Sequence, residues 1–407
     1  MHSDIDSEMD RRGIKSLIVF GDSTNGNPDL CYLVGSSLPR GGIYLKRINE
    51  DPVLVVSNID LGNASQGRIK KLKTYTDYGY EKINAMYDRE EARTRFYEKL
   101  IRDEGLRGPF VIGGKNELAN SLLLVDSLRH RGFKIVGEKS PTIVEAARET
   151  KDGWEIERLR EMGRKTARVV EKTLAFLRKG EARRGKIIHQ GKPLTAGRVR
   201  RLIGRLLADS GIIAPEDTIF APGKSSADPH NRGGDDDPVI PGEPIVYDIF
   251  PQEPDGYFFD CTRTYSYGRP NAKVKEMYDS VLEAQNLALD LIREGASCKD
   301  VMLSVCNSFE SRGYPTVRQL AMRKTVKGAA EARHRGFIHS LGHGVGLTIG
   351  ERPYLSISSD YPLTKGMAVT VEPGLYDPRW GGVRLEDIVI VGSPSKNLTN
   401  LAKDMEL

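Results

Sequence analysis

Hydrophobic and polar positions fall into two regimes along the chain. Over residues 16–138, short apolar runs bounded by turn-forming residues read as strands at 17–20, 30–34, 43–46, 53–57, 110–112 and 134–136. Between them, residues 89–103 and 116–130 carry apolar side chains at helical spacing, Phe96 and Leu100 on the first and Leu118, Leu122, Leu123 and Leu128 on the second. This alternation predicts an α/β domain. It contains no G-x-G-x-x-G, Walker sequence or nucleophile elbow, so no chemistry is legible in it.

A polar stretch at 145–153 interrupts the pattern, and a long amphipathic helix follows through Trp154, Ile156, Leu159, Met162, Ala167, Val170, Leu174 and Leu177. The domain boundary is placed here, with an N-terminal α/β domain at 1–148 and a second domain at 149–407; two domains suit a chain of 407 residues. In the second domain, 181–195 reads as an exposed insertion or loop, and 196–209 as a helix with Val199, Leu202, Ile203, Leu206 and Leu207 on its apolar side. A strand is expected at 218–222 and loop at 223–241. Helices follow at 273–293 and 298–312, the latter capped by Ser297, and strands at 367–372 and 383–391 after a glycine-rich stretch at 341–350.

Several of these strands are interrupted by charge. Residues 245–265, IVYDIFPQEPDGYFFDCTRTY, have the pattern of a β-hairpin with Asp248 after Ile245-Val246-Tyr247 and Asp260 after Tyr257-Phe258-Phe259. Carboxylates among such residues must be paired, hydrogen-bonded or metal-bound, because desolvating one alone costs on the order of several kcal/mol. Glu372 in VTVEPGLY and Glu386 in GVRLED repeat the oddity, and HSLGHGVGL supplies His339 and His343. Asp248, Asp260, Glu372, Glu386 and His343 together have the ligand types of a two-metal site. Two carboxylates about 4 Å apart repel by roughly 4 kcal/mol at an effective dielectric of about 20, so a pocket of them needs compensating cations. Oxygen-rich donors with one imidazole suit Mn²⁺, Co²⁺, Fe²⁺ or Zn²⁺.

The ordered stretches D…D-x-T-R-T…H-x-x-G-H-G-x-G-L…E-P-G-x-Y…G-V-R-x-E-D resemble the pita-bread metallopeptidases, and the added N-terminal domain resembles the prolidase and Xaa-Pro aminopeptidase branch. The resemblance implies an α+β fold: a pita-bread catalytic domain preceded by a creatinase/prolidase N-terminal-like α/β domain. It implies two divalent ions, manganese or cobalt foremost with zinc or iron as alternatives. Asp248 would chelate one ion, Asp260 and Glu386 would bridge both, and His343 and Glu372 would complete the other. Glu372 would also shuttle a proton, His230 and His339 would contact substrate or steady the tetrahedral intermediate, and Arg384 and Thr262 would support the ligating carboxylates. The implied reaction is hydrolysis of a peptide bond near a free N-terminus, as in an Xaa-Pro aminopeptidase or dipeptidase, by a homodimer.

Three positions depart from the family pattern: Phe250 stands where glycine is usual, Gly350 replaces a histidine before Glu-x-Pro, and Asp248 and Asp260 are one residue farther apart. Phe250 is expected to crowd the hairpin, and the added residue to require a bulge or longer loop near 251–256. These departures motivate an alternative, a pita-bread hydrolase or lyase acting on a small non-peptide molecule. A noncatalytic binding module is the third reading. Asp387 and Cys261 alternate to the opposite strand faces from Glu386 and Asp260 and read as structural or solvated, and as packing; His130, His189 and His334 read as surface or helix-end residues.

Composition narrows the setting. Charged residues make up 29% and no long apolar run exists, so no membrane span is expected. The polar N-terminus reads as no signal peptide, and four cysteines without a C-x-x-C pair fit reduced thiols, which together point to the cytoplasm. A net charge of +5 is small for this length, and the basic runs at 183–205 and 318–335 lack interleaved aromatics, so no nucleic-acid partner is expected.

Overall fold

A computed structural model describes residues 2–254, 256–322 and 335–407. The chain divides into two units, Met1–Arg148 and Glu149–Leu407. In the first, β1 (Ser16–Gly21), β2 (Gly42–Arg47), β3 (Val53–Val56), β4 (Lys71–Thr74), β5 (Phe110–Gly113) and β6 (Ile135–Val136) form one mixed sheet in the order β4-β3-β2-β1-β5-β6. Helices Arg89–Asp103 and Leu118–His130 pack on it through Phe96, Leu100, Leu124 and Leu128.

Three expectations change here. The strand expected at 30–34 is a helix, Pro28–Val34, because Asn27 accepts from the Leu30 amide, Pro28 presets the first turn and Gly35 ends it at φ 70°. β4 was not anticipated, since KLKT at the sheet edge is half exposed and carries no apolar alternation. The helix Leu118–His130 turns Leu118, Leu122 and Leu123 outward, at 79%, 54% and 47% exposure, and buries Leu124 and Leu128.

The second unit opens with the helix Gly153–Leu177, started by a capping box between Asp152 and Glu155. The segment expected to be an exposed loop folds into three short antiparallel strands, β7 (Glu181–Arg183), β8 (Lys186–His189) and β9 (Lys192–Pro193). Consecutive left-handed residues make their turns, Arg184-Gly185 (φ 49° and 74°) and Gln190-Gly191 (φ 53° and 73°), the backbone a type I′ hairpin requires. Ile187 and Leu194 are buried beneath them, and so is His189, which packs its ring on Phe176 at 4.2 Å instead of lying at the surface.

After the helix Ala196–Asp209, β10 (Ile219–Pro222), β11 (Pro244–Ile249) and β12 (Cys261–Ser266) form an antiparallel sheet. The loop between β10 and β11 begins with a short 3₁₀ helix, Gly223–Ala227. The helices Ala272–Leu291 and Cys298–Ser311 then pack through Val281, Ala284, Val305 and Phe309 against the C-terminal strands. These are β13 (Gly342–Val345), β14 (Ile349–Leu355), β15 (Ala368–Val371), β16 (Gly374–Asp377), β17 (Gly381–Arg384), β18 (Asp387–Ile390) and β19 (Lys396–Asn397). The strand expected at 383–391 is broken at Leu385-Glu386, which separates β17 from β18. His334 and most of the basic run 318–335 lie outside the described residues. Among the described residues, no helix is long and apolar enough to cross a membrane.

The outward rotation of Leu118 makes a contrast that denaturation can measure. Leu128→Ala empties a fully buried site and is expected to cost about 2–5 kcal/mol, whereas Leu118→Ala should stay within about 0.5 kcal/mol of wild type in urea unfolding of the N-terminal unit.

Candidate metal centre

The hairpin sets the first two carboxylates. β11 and β12 pair in a regular register, Asp248 opposite Thr262 and Ile249 opposite Cys261, and the Gln252–Phe258 bridge continues it toward the tip. Asp260 lies two residues before Thr262, so Asp248, Thr262 and Asp260 share one face and Cys261 takes the other. No bulge is needed. The expectation of one ignored that paired residues project to the same side, which an even offset from the Asp248–Thr262 pair preserves. Tyr257, Phe258 and Phe259, expected as strand, lie outside β12. Phe250 does not crowd the hairpin either: it packs on Ile219, Ala221 and Val246 and walls the cavity.

The remaining donors arrive from the second sheet. His343 sits on β13, Glu372 directly follows β15, and Glu386 occupies the break before β18. β13 runs close beneath its neighbours: a Cβ at Gly342 would lie 1.9 Å from the Thr370 carbonyl, and one at Gly344 2.1 Å from that of Arg352. His343 Nε2 stands 3.4 Å from Glu372 Oε1 and 3.8 Å from Asp260 Oδ2. Its Nδ1 is 3.0 Å from the Gly344 carbonyl; donating there leaves the Nε2 lone pair for a cation. Gly350, at φ 75° where a histidine side chain would be strained, points its amide at the same Nδ1 from 3.2 Å, a bond that needs the other tautomer with the proton on Nε2; a cation at Nε2 would select the Nδ1–H form that donates to Gly344 instead. Asp260, His343 and Glu386 each place one donor atom within 4.8 Å of the others. All five residues line one cavity of about 530 Å³, with His230, His339, Arg384 and Phe250 on its walls.

A hydrogen-bond network holds them. Thr262 Oγ1 donates to Glu386 Oε2 (2.7 Å) and accepts from Arg384 Nε (3.2 Å). Arg384 also donates to Asp248 Oδ2 (2.6 Å) and the Tyr376 hydroxyl (2.9 Å). Because Arg384 can only donate, Tyr376 has its own hydrogen left for His339 Nε2 at 3.0 Å, and His339 Nδ1–H donates to the Ser340 carbonyl at 2.7 Å. Tyr376 and Thr370, which supports both the His343 amide and Glu372, were missed in the sequence because their part is visible only across strands; the Tyr of E-P-G-x-Y was the available signal. Asp387 is buried against Arg263 on the far side, and Cys261 is buried as packing.

The comparisons with known proteins bear on this geometry. Residues 157–393, more than half of the chain, match the model of metallopeptidase family M24. The chain belongs to that family. Among M24-like relatives, an Xaa-Pro dipeptidase of Pyrococcus horikoshii is 28% identical over 403 residues, 98% of this chain and 96% of its own length. An Xaa-Pro dipeptidase of Pyrococcus furiosus is 36% identical over 190 residues, 46% of this chain and 49% of its own. The solved prolidase of P. horikoshii superposes with a TM-score of 0.74 at 25% identity, covering 99% of both chains. An Xaa-Pro dipeptidase structure from Bacillus anthracis, 24% identical with a TM-score of 0.78 over 100% and 99% of the two chains, shares the fold. The α+β pita-bread architecture with an N-terminal domain and the metallopeptidase class are therefore borne out.

The electrostatics of this M24 site match a cation-binding role. Burial, reinforced by neighbouring carboxylates, pushes the Asp260 and Glu386 carboxyls well above their ordinary range, and burial lifts Glu372 to about 7 although Arg384 opposes it. Asp248 Oδ1 is buried without a hydrogen-bond partner, a vacant acceptor on a residue that lines the cavity. One guanidinium cannot balance the acids gathered here. The residues present thus fit divalent cations.

The metal-free protein should lose stability as pH rises. Folded-state pKa values above the unfolded ones mean that the stabilising protonated form is present below about pH 4 and is lost as pH passes the Glu372 value of about 7. Calorimetry of chelator-treated protein should show its Tm falling between about pH 5 and 8, and added divalent ions should restore it. Thr262→Val, which removes the hydroxyl between Glu386 and Arg384, should weaken metal binding by about 10- to 100-fold in titration calorimetry.

Proposed function

We propose that the chain is a dinuclear metal-dependent Xaa-Pro peptidase, acting as a dipeptidase or aminopeptidase, with Asp248, Asp260, His343, Glu372 and Glu386 as ligands. The observation that carries the reading is the convergence of these donors on one cavity, with three of them within 4.8 Å of one another. The names of the P. horikoshii and P. furiosus relatives support the Xaa-Pro preference. Manganese or cobalt is the proposed metal, with zinc or iron as alternatives, in keeping with one imidazole among carboxylates.

When bound, the ions supply Lewis acidity toward the scissile carbonyl and neutralise the carboxylate cluster. Glu372 takes a proton from the attacking water at its carboxylate and returns it to the leaving nitrogen. Arg384 orients Asp248, and Thr262 orients Glu386. His339, kept neutral by burial with a pKa lowered to about 3, meets substrate by exchanging its Tyr376 contact. His230, exposed at the cavity wall, offers a second substrate contact. A homodimer is proposed on the family resemblance and a cytoplasmic setting on the four cysteines that form no disulfide, and light scattering would measure the oligomer.

Hydrolysis of Xaa-Pro dipeptides and tripeptides by protein reconstituted with Mn²⁺ or Co²⁺ tests the reading. Glu372→Gln should lower kcat by about 10²- to 10⁴-fold with the fold retained. An absence of turnover on every such peptide by metal-loaded wild type would refute it.

A further inference from the structure

Arg263, part of the D-x-T-R-T motif, has no place in the reaction proposed above. It alternates to the face of β12 opposite Asp260 and Thr262, and its side chain is only 2% exposed. All five of its N–H groups nevertheless find acceptors. Nε donates to the Ala402 carbonyl (3.1 Å), Nη1 to the carbonyls of Thr262 (2.9 Å) and Glu386 (2.7 Å), and Nη2 to Asp387 Oδ1 (2.8 Å) and the Leu401 carbonyl (2.9 Å). These acceptors belong to three separate segments: β12, the break at Glu386 with the first residue of β18, and the C-terminal residues 401–407.

Asp387 is the second node. Fully buried, it also receives Lys403 Nζ at 2.8 Å and Asn397 Nδ2 at 2.8 Å. Burial works against its charge, but Arg263 and Lys403 hold its carboxyl below the usual range. The terminal segment is laid along β12 by the Ser266 amide on the Met405 carbonyl (2.7 Å) and the Leu407 amide on the Ser266 carbonyl (3.0 Å), and Tyr278 donates to the Lys403 carbonyl (2.6 Å).

Glu386 is thereby fixed at three points: its amide donates to the Thr262 carbonyl (3.0 Å), its carbonyl accepts from Arg263, and its carboxylate accepts from Thr262 Oγ1. A buried ion pair adds little net stability, but the rigid fork of an arginine is well suited to locating backbone. Metal sites tolerate displacements of only about 0.2 Å in ligand distance. We propose that Arg263, Asp387 and Lys403 form a clamp through which the C-terminal segment positions Glu386 relative to Asp260, although no residue of 401–407 lines the cavity. The inference rests on the reading of Glu386 as a metal ligand.

Titration calorimetry of Mn²⁺ into metal-stripped full-length protein separates positioning from simple stabilisation. Lys403→Ala should weaken binding by about 10- to 100-fold, and Lys403→Arg should restore most of it. Val305→Ala, a packing change in the helix Cys298–Ser311, should lower the Tm of the metal-free protein while leaving Mn²⁺ affinity within about twofold. Lys403→Ala binding Mn²⁺ as wild type does, with only its Tm lowered, would overturn the clamp. Glu386→Gln is the separate control: unchanged affinity in that variant would remove the ligand assignment and the clamp with it, whereas its loss beside an intact Lys403→Ala would remove the clamp alone. Arg263→Lys is expected to behave as Lys403→Ala does, and the Lys403 pair decides if it does not fold.

Discussion

Mutual repulsion among buried carboxylates is the constraint on which the second unit depends. Asp248, Asp260, Glu372 and Glu386 occupy one cavity whose only guanidinium is Arg384, among the residues that line it. Folding brings them together at a cost that hydrophobic packing elsewhere must offset, and the cost falls when cations share the site. The surrounding hydrogen bonds follow from this. Arg384 donates to Asp248, Thr262 to Glu386 and Thr370 to Glu372, yet one Asp248 oxygen is left without a donor and burial still raises the Glu372, Asp260 and Glu386 carboxyls.

That constraint is also what made the site legible. A carboxylate inside an apolar strand is conspicuous without any structure, and four of them with a histidine specify oxygen-rich chemistry from residue types alone. The resemblance to pita-bread enzymes added roles to these residues. The supporting groups were less visible. Tyr376 and Thr370 are ordinary strand residues whose function exists only across the sheet, in the contacts to His339, Arg384, His343 and Glu372.

Fold reading failed where local capping overrode composition. Cys31, Tyr32 and Val34 favour a strand by type, yet Asn27, Pro28 and Gly35 close a helix around them. At 181–195, polar side chains concealed two hairpin turns because Arg184 and Gln190 are uncommon at positive φ. On the helix Leu118–His130, a leucine-rich sequence offered more than one apolar side, and only packing against the sheet selects Leu124 and Leu128. Long periodic segments such as 153–177 and 196–209 needed no such context.

The register of the hairpin reaches beyond geometry into metal selection. With Asp248 opposite Thr262, oxygen donors face the cavity and the Cys261 sulfur faces away. A slip of one residue between β11 and β12 would reverse that, presenting a soft thiolate where a hard carboxylate now stands and moving the site's preference toward zinc or copper. Four bonds of Arg263, to Glu386, Asp387, Leu401 and Ala402, tie β12 to other segments and oppose such a slip from behind. For a metal held among these donors, the choice between hard and soft chemistry would thus rest on a backbone ladder, one position wide.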